Sequence, residues 1–377
     1  MSGVNPSVTP PSEQPDGGLS SQGNEPGILP PQHWAQVAEE LGAEDDAESS
    51  LGDDAASSTA SITSSILEYR TIQGRTYHRD IGNAQYWGTN DERQNESMDV
   101  NHHVLTLVLD GALHLAPIPK DIKKAVDIGT GTGVWAIDFA EQYPSAQVIG
   151  TDISPIQPSW LPPNLEFQID DCTQEWTFAP SSLDYIHIRW LVGSIVDWPR
   201  LFKQAYRCLK PGGYLESNEA LSRMDCDDGT IHEKSAMHQW GKFFVEGGKK
   251  IGRSFTIVED GVQKKAMEGA GFVGIKERDF KVSFRRVFLC ANEVANNPGA
   301  QVPIGAWPKD PKLKEIGKYA QATLEQDIEG YVLFMANTVE GWTKEEIEVY
   351  ISLLRRELRA GKMHPYYLQK VVWAQKM

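Results

Sequence analysis

The spacing of apolar residues changes character along the chain. Between 91 and 115 it is helical, with an apolar centre at Val104, Leu105, Leu107, Val108 and Leu109, and Pro117 and Pro119 end it. Short apolar runs at 125–128, 147–152, 165–169, 183–188 and 213–217 then read as strands. Helical spacing at 134–142 and 198–208 separates some of them. This β-α-β-α alternation predicts an α/β fold built on a parallel, doubly wound sheet. Right-handed crossovers put the ends of the first strands along one edge, where such sheets bind ligands. Further on, a helix is expected at 256–269, a strand at 272–282 and helical structure at 310–340, with Leu313, Ile316, Tyr319 and Ala320 on one face. Thr343 and Glu346 form a capping-box pattern opening a helix with apolar positions Ile347, Tyr350, Ile351, Leu354 and Leu358. A last strand at 367–375 locks the C-terminus into the sheet.

Charge divides the chain differently. Of the 377 residues, the first 69 contain no Lys or Arg and twelve Asp or Glu, so −12 of the formal net charge of −16 belongs there. The other 308 residues carry 40 acidic and 36 basic side chains. A Ser/Pro/Gly/Asp-rich segment of this kind cannot offset its ordering entropy, so residues 1–60 are expected to be a disordered acidic tail with no share in the core. Trp34, Val37 and Leu41 have helical spacing inside it, which suits a transient helix or a docking motif, while composition reads 32–41 first as solvated linker. The near-neutral body lacks the positive field of a nucleic-acid binder. No stretch approaches 18 apolar residues, so no membrane span is expected. The N-terminus has neither the basic nor the apolar region of a secretory signal. Cys172, Cys208, Cys226 and Cys290 lack CxxC spacing and read as reduced thiols of an intracellular protein, with no metal site.

The sharpest chemical signal is Val126-Asp127-Ile128-Gly129-Thr130-Gly131-Thr132-Gly133-Val134, an apolar strand running through glycines into a helix. Val134 stands where a dinucleotide fold places its third glycine, which disfavours an NAD-dependent oxidoreductase. No Lys-Ser/Thr pair follows, so a P-loop is excluded. A carboxylate at Asp127 suits a ligand with an ammonium group better than a pyrophosphate. Asp152, at the end of the second strand, is placed to accept both hydroxyls of a ribose, and is expected to be solvated when the pocket is empty. Acids at 170 and 171, at the third strand's tip, are placed to accept from an adenine amino group. Together these tips describe a pocket for an amino acid joined to adenosine, S-adenosyl-L-methionine.

On these residues the chain resembles the class I S-adenosylmethionine-dependent methyltransferases and, within them, the fungal LaeA-like family. The resemblance also rests on Gly74-Arg75-Thr76-Tyr77-His78, Asn101-His102-His103, Gly150-Thr151-Asp152-Ile153-Ser154-Pro155 and Leu209-Lys210-Pro211-Gly212-Gly213. Ile304-Gly305-Ala306-Trp307-Pro308 and His364-Pro365-Tyr366-Tyr367 extend it to the end of the chain. Trp87-Gly88-Thr89-Asn90-Asp91 departs from the family's form, which commonly has proline at the position of Thr89. The resemblance implies a Rossmann-like, seven-stranded doubly wound sheet, mostly parallel with an antiparallel C-terminal strand, and helical lid segments. It implies a lid at 61–120 and a methyltransferase domain at 121–377, with an acceptor-side insertion at about 285–362. Cofactor roles are implied for Asp127, Gly129, Thr130, Gly131, Gly133, Asp152, Ile153, Asp171 and Cys172.

Methyl transfer requires alignment of donor and acceptor and exclusion of water, and a base only where the acceptor arrives protonated. The weak catalytic candidates are His103, His187 and Arg189. His187 reads first as a hydrogen-bonded core histidine, His102 and His103 as packing or capping groups. Arg189 suits a substrate or cofactor carboxylate, or a structural ion pair. Trp190, Trp198 and Trp307 are acceptor-pocket candidates that equally suit a core. The expected function is methylation of a small molecule of fungal secondary metabolism. The alternative is a regulatory protein acting through nuclear partners, with the acidic tail as protein contact.

Overall fold

The computed structural model describes residues 27–42, 69–79, 86–280 and 301–377. The rest of the expected tail, the start of order at 61–68, the end of the strand expected at 272–282, and Cys290 lie outside them. Before the sheet come α1 (Pro31–Leu41), a hairpin of β1 (Arg70–Ile72) and β2 (Arg75–Tyr77), and α2 (Glu92–Val108), capped by the Asp91 carboxylate accepting from the Gln94 N–H. The doubly wound body follows as β3 (Lys124–Ile128), α3 (Val134–Gln142), β4 (Gln147–Asp152), β5 (Leu165–Ile169), β6 (Leu183–Arg189), α4 (Trp198–Cys208) and β7 (Leu209–Ala220). Then come α5 (Ala236–Lys250), α6 (Val262–Ala270) and β8 (Val273–Phe280). An insertion supplies β9 (Gln301–Pro303), α7 (Pro311–Gln326), α8 (Ile328–Leu333), a π-helical turn over Phe334–Val339, and α9 (Lys344–Ala360). The chain ends on β10 (Tyr366–Gln375).

The sheet order is β5-β4-β3-β6-β7-β10-β8, with β9 added on β10. Strands β5, β4, β3, β6 and β7 run parallel, and β10 is antiparallel to β7, β8 and β9. This is the expected seven-stranded sheet with its antiparallel C-terminal strand. The order reverses between β3 and β6, so the crevice of the fold opens beyond their carboxyl ends. Val126, Ile128, Ile186 and Ile188 are buried at the centre, as a sheet covered on both faces requires.

Four points differ from expectation. Residues 31–41 are not solvated linker: α1 packs on α9, Trp34 is 1% exposed, and its ring meets Tyr350 edge-on at 5.5 Å. Composition misjudges this segment because one buried tryptophan on a neighbouring surface outweighs polar flanks. The helix expected at 256–269 starts only at Val262, after Gly261 turns the chain with φ 61. Helix α5 has no counterpart among the expected elements. Gly241, Gly247 and Gly248 lower its intrinsic propensity, and burial of Trp240, Phe243 and Phe244 overrides it. Tyr319, expected on the apolar face of α7, is 40% exposed, whereas Ile316 and Ala320 are buried.

Two buried carboxylates of β7 hold neighbouring loops. Glu216 accepts from the Leu115 and Ala116 N–H groups at 2.9 and 2.6 Å, and Glu219 from the Leu191 and Val192 N–H groups at 3.2 and 3.0 Å. Burial pushes Glu216 up to about 7 and Glu219 up to about 8, against the lowering effect of those amides.

Trp34→Ala is expected to remove about 3–5 kcal/mol of packing, read as a lower melting temperature. An unchanged melting temperature would show that α1 adds nothing to the body's stability. The pH dependence follows from Glu216 and Glu219. Their folded values lie above the unfolded carboxylate value, so their contribution is present at low pH and lost as pH rises through about 7 and 8. Burial lowers His102, His114 and His187, which act in the opposite sense only below about pH 6.5. Scanning calorimetry should therefore find a higher melting temperature near pH 6.5 than near pH 8.5, and Glu219→Gln should reduce the difference.

Candidate functional site at the strand edge

A cleft of about 1270 Å³ lies at the carboxyl ends of β3, β4, β5 and β6. Helix α2, residues 86–90 and Tyr331 of α8 complete its walls. Its floor is the glycine loop, where Gly129, Gly131 and Gly133 have φ of 69, 58 and 83°. The Gly129 and Thr130 N–H groups both donate to the Thr151 carbonyl, at 2.8 and 2.9 Å. The Gly131 N–H donates to Asp152 Oδ2 at 2.8 Å, and Thr132 Oγ1 to Asp99 of α2 at 2.6 Å. Gly133 serves packing and is not on the cleft wall: a Cβ there would stand 2.3 Å from the Phe167 ring.

Asp127 does not line the cleft either. It is 3% exposed, with Oδ2 accepting from Thr130 Oγ1 at 2.6 Å and Oδ1 bonded to His187 Nδ1 at 2.8 Å. Its position inside β3 points the carboxylate beneath the loop, where it braces Thr130. His187 is stacked on Trp135 with centroids 3.7 Å apart, and burial holds its pKa below the usual histidine value. It is the hydrogen-bonded core residue that its place inside the strand suggests.

Asp152 lines the cleft, but it is not simply solvated. Its Oδ1 accepts from the Ser154 N–H at 2.9 Å while Oδ2 holds Gly131. Burial raises its pKa to about 6, against the lowering effect of the backbone N–H groups around it. Thr130, Ile153, Asp170, Asp171 and Cys172 join it on the wall. Asp171 Oδ1 accepts from the Thr173 N–H and hydroxyl at 2.9 and 2.7 Å, closing the turn after β5. Burial pushes the Cys172 thiol up, so it is no nucleophile near neutrality.

Arg189 ends β6 on the cleft wall, and its Nη1 meets His102 Nδ1 at 3.2 Å. His102 Nε2 in turn meets Asp138 at 2.9 Å, and burial lowers the imidazole's pKa. A neutral ring with its proton on Nε2 suits both contacts, accepting from Arg189 and donating to Asp138. Among the described residues no carboxylate lies within ion-pair distance of Arg189, so its charge is available to an anion. His103 is exposed, packs edge-on against Tyr319 and is not part of the cleft. Trp198 is in the core beside Phe202, and Trp307 donates to the Pro365 carbonyl at 3.0 Å. Of the three tryptophans only Trp190 reaches the cleft.

Residues that sequence reasoning missed here are Trp87, Asn90, Met98 and Tyr331. They come from residues 86–90, α2 and α8, and no local pattern marks which side chains those elements turn toward the strand edge. The Thr89 departure is also explained. Thr89 pairs with Tyr77 in an isolated bridge, and its hydroxyl accepts from Arg75 Nη2 at 3.2 Å, a contact that proline could not make.

A family profile described as a methyltransferase domain matches residues 100–277. Methyltransferase pytC of Aspergillus terreus is 36% identical over 324 residues, covering 86% of this chain and 93% of that one. The secondary metabolism regulator LAE1 of Cochliobolus heterostrophus is 31% identical over 299 residues, covering 78% and 90%. Among solved structures, phosphoethanolamine N-methyltransferase 2 of Haemonchus contortus in complex with S-adenosyl-L-methionine aligns over 75% of this chain and 52% of that one. Its identity is 18% and its TM-score 0.38, too low to add to the strand order. No helix among the described residues is long and apolar enough to cross a membrane. Relatives matched over nearly their whole length carry the assignment: the chain belongs to the LaeA-like methyltransferase family and is an S-adenosylmethionine-dependent methyltransferase.

Proposed function

We propose that the chain methylates a small molecule of fungal secondary metabolism, with S-adenosyl-L-methionine held along the strand edge. Asp152 accepts the ribose hydroxyls, Ile153 and the turn at Asp170, Asp171 and Cys172 receive the adenine, and Arg189 binds the methionyl carboxylate. Gly129, Thr130 and Gly131 form the floor, while Asp127 and Gly133 shape it from beneath. The observation that carries this reading is Asp152. Each of its oxygens already fixes one backbone N–H, and a carboxylate has about four lone-pair sites, so acceptor capacity remains for a diol. The bound sulfonium supplies a methyl carbon activated by its own positive charge. The chain's task is to align the acceptor and keep water out, which Trp87 and Tyr331 serve by closing the cleft from above. Neither His187, engaged with Asp127, nor His103, outside the cleft, acts as base.

A second reading is favoured by the relatives named as regulators. On it the same cleft serves a regulatory protein, with the acidic N-terminal tail contacting a protein partner in the nucleus. Deletion of residues 1–26 combined with neutral replacement of Glu44, Asp45, Asp46, Glu48, Asp53 and Asp54 keeps α1, removes the acidic run and separates the two: small-molecule methylation survives, partner-dependent regulation does not. Under either reading we place the protein inside the cell, in cytoplasm or nucleus.

Asp152→Ala is expected to lose charge-assisted hydrogen bonds of about 1.5–3 kcal/mol, a ten- to hundredfold weaker affinity for S-adenosylhomocysteine by calorimetry. The empty variant should also melt a few degrees lower, because Gly131 and Ser154 lose their acceptor. Unchanged affinity would move the adenosine elsewhere. Since the carboxylate titrates near pH 6, affinity should fall as pH drops through that value, by about tenfold at pH 5. Asp152→Asn should bind with intermediate affinity and lack this pH dependence.

A further inference from the structure

Behind the cleft lies a second cavity of about 720 Å³. Trp87, Asn101, Trp190 and Tyr331 belong to the walls of both, so the two spaces meet. The far wall is apolar: Trp240 and Phe244 from α5, Leu324 from α7 and Tyr367 from β10. Among the described residues Arg223 is the only Lys, Arg, Asp, Glu or His side chain on it, and Asp225 at 2.8 Å and Glu259 neutralise it. Burial pushes both phenols up, Tyr331 to about 12, so they stay protonated, and Tyr331 Oη is already paired with Ser97 Oγ at 2.9 Å. Asn101 is different. It stands at the junction, and no hydrogen bond from a described residue holds its carboxamide. Trp190 reaches the same junction from a backbone with φ 58, a region bulky residues rarely adopt, secured by its N–H donating to the Asn218 carbonyl at 3.1 Å. Strain of this kind persists where function needs a side chain held in one direction.

Resting on the cofactor reading of the cleft, we infer that this cavity takes the methyl acceptor. The acceptor is an uncharged, largely aromatic molecule, and Asn101 holds its nucleophilic oxygen or nitrogen at the junction. A charged acceptor would lose its hydration against these walls without gaining a counter-charge. Flat ring systems match the tryptophan and phenylalanine faces. In the transfer, the acceptor's lone pair forms the bond to the methyl carbon, and the carbon–sulfur pair returns to sulfur and cancels its charge. A hydroxyl or amine acceptor keeps its proton through the transfer and loses it to bulk solvent as the product leaves, because the wall offers no group to take it. Asn101 Oδ1 accepts a hydrogen bond from that hydroxyl or amine and so aims its lone pair.

The test uses the full chain and a neutral fluorescent probe, N-phenyl-1-naphthylamine, with S-adenosylhomocysteine binding measured beside it. The probe should bind saturably, one per chain, and 2-naphthol should displace it at a concentration at least about tenfold lower than 2-naphthoate does, a difference of about 1.4 kcal/mol. Ala320→Phe, which fills the cavity, should weaken probe binding at least about tenfold while S-adenosylhomocysteine affinity stays within about threefold. If that variant does not fold, the naphthol–naphthoate comparison on the unmodified chain still decides. Asn101→Ala should weaken 2-naphthol severalfold and leave the probe unaffected; equal loss of both, or of neither, removes Asn101 from the proposal. Absent probe binding, or naphthoate as effective as naphthol, overturns the cavity assignment. Failure of S-adenosylhomocysteine to bind would instead overturn the cofactor reading beneath it.

Discussion

The guanidinium of Arg75 ties together the parts of the molecule that the sheet cannot position. From β2 it reaches Asp91, the cap of α2, at 2.6 and 2.7 Å, and Asp327, at the start of α8, at 2.7 and 2.8 Å. Asp327 is fully buried and also caps α8 by accepting from the Gly330 N–H. Arg93 of α2 adds a second cation to Asp327 and Glu329. Removing Arg75 would leave the buried Asp327 short of counter-charge, a loss of about 3–5 kcal/mol in comparable buried pairs. The β1–β2 hairpin, α2 and α8 are therefore linked through one planar, five-donor group, with Arg93 beside it. The cleft roof depends on that setting, because Trp87 precedes α2, Asn101 lies on α2 and Tyr331 on α8.

Beneath the roof, carboxylates that accept from backbone N–H groups or short polar side chains give the strand edge its shape. Asp127 braces the loop through Thr130, Asp152 joins the loop to the turn after β4, and Glu219 fixes the start of the segment after β6. Asp152 and Glu219 thereby meet the requirement that buried polar backbone be paired. The cost is that burial pushes Asp152 and Glu219 above the usual carboxylate range. One kind of interaction thus shapes the site and makes the protein sensitive to pH.

The division of labour between sheet and additions also explains the two adjoining spaces. Strand tips supply polar groups suited to a nucleoside and an amino acid. Helices α5 and α7 supply an apolar wall with no unbalanced charge. The junction between them is lined by an unpaired carboxamide and a tryptophan on a strained backbone, where a reacting atom has to be held.

Much of the sheet was legible in the sequence. The strands 147–152 and 165–169 and the helices 134–142 and 198–208 have the residues expected, since local apolar spacing and proline or glycine stops decide them. Asp152 was legible as a strand-tip acid, because alternation and strand length place it without reference to the rest. Its two backbone partners were not, and neither was the burial of Asp127. Those depend on how tightly the loop folds back on β4. Helix α5, the docking of Trp34 and the roof of the cleft were decided only by tertiary structure. Each is a contact between segments far apart in the chain, as in Leu29 with Gln239 or Arg75 with Asp327. The sequence by itself determined the parallel sheet, the glycine loop and the edge where a ligand meets them, because those follow from local periodicity. Which side chains close over that edge was decided by packing and by buried charge, whose energies depend on distances that no spacing along the chain encodes.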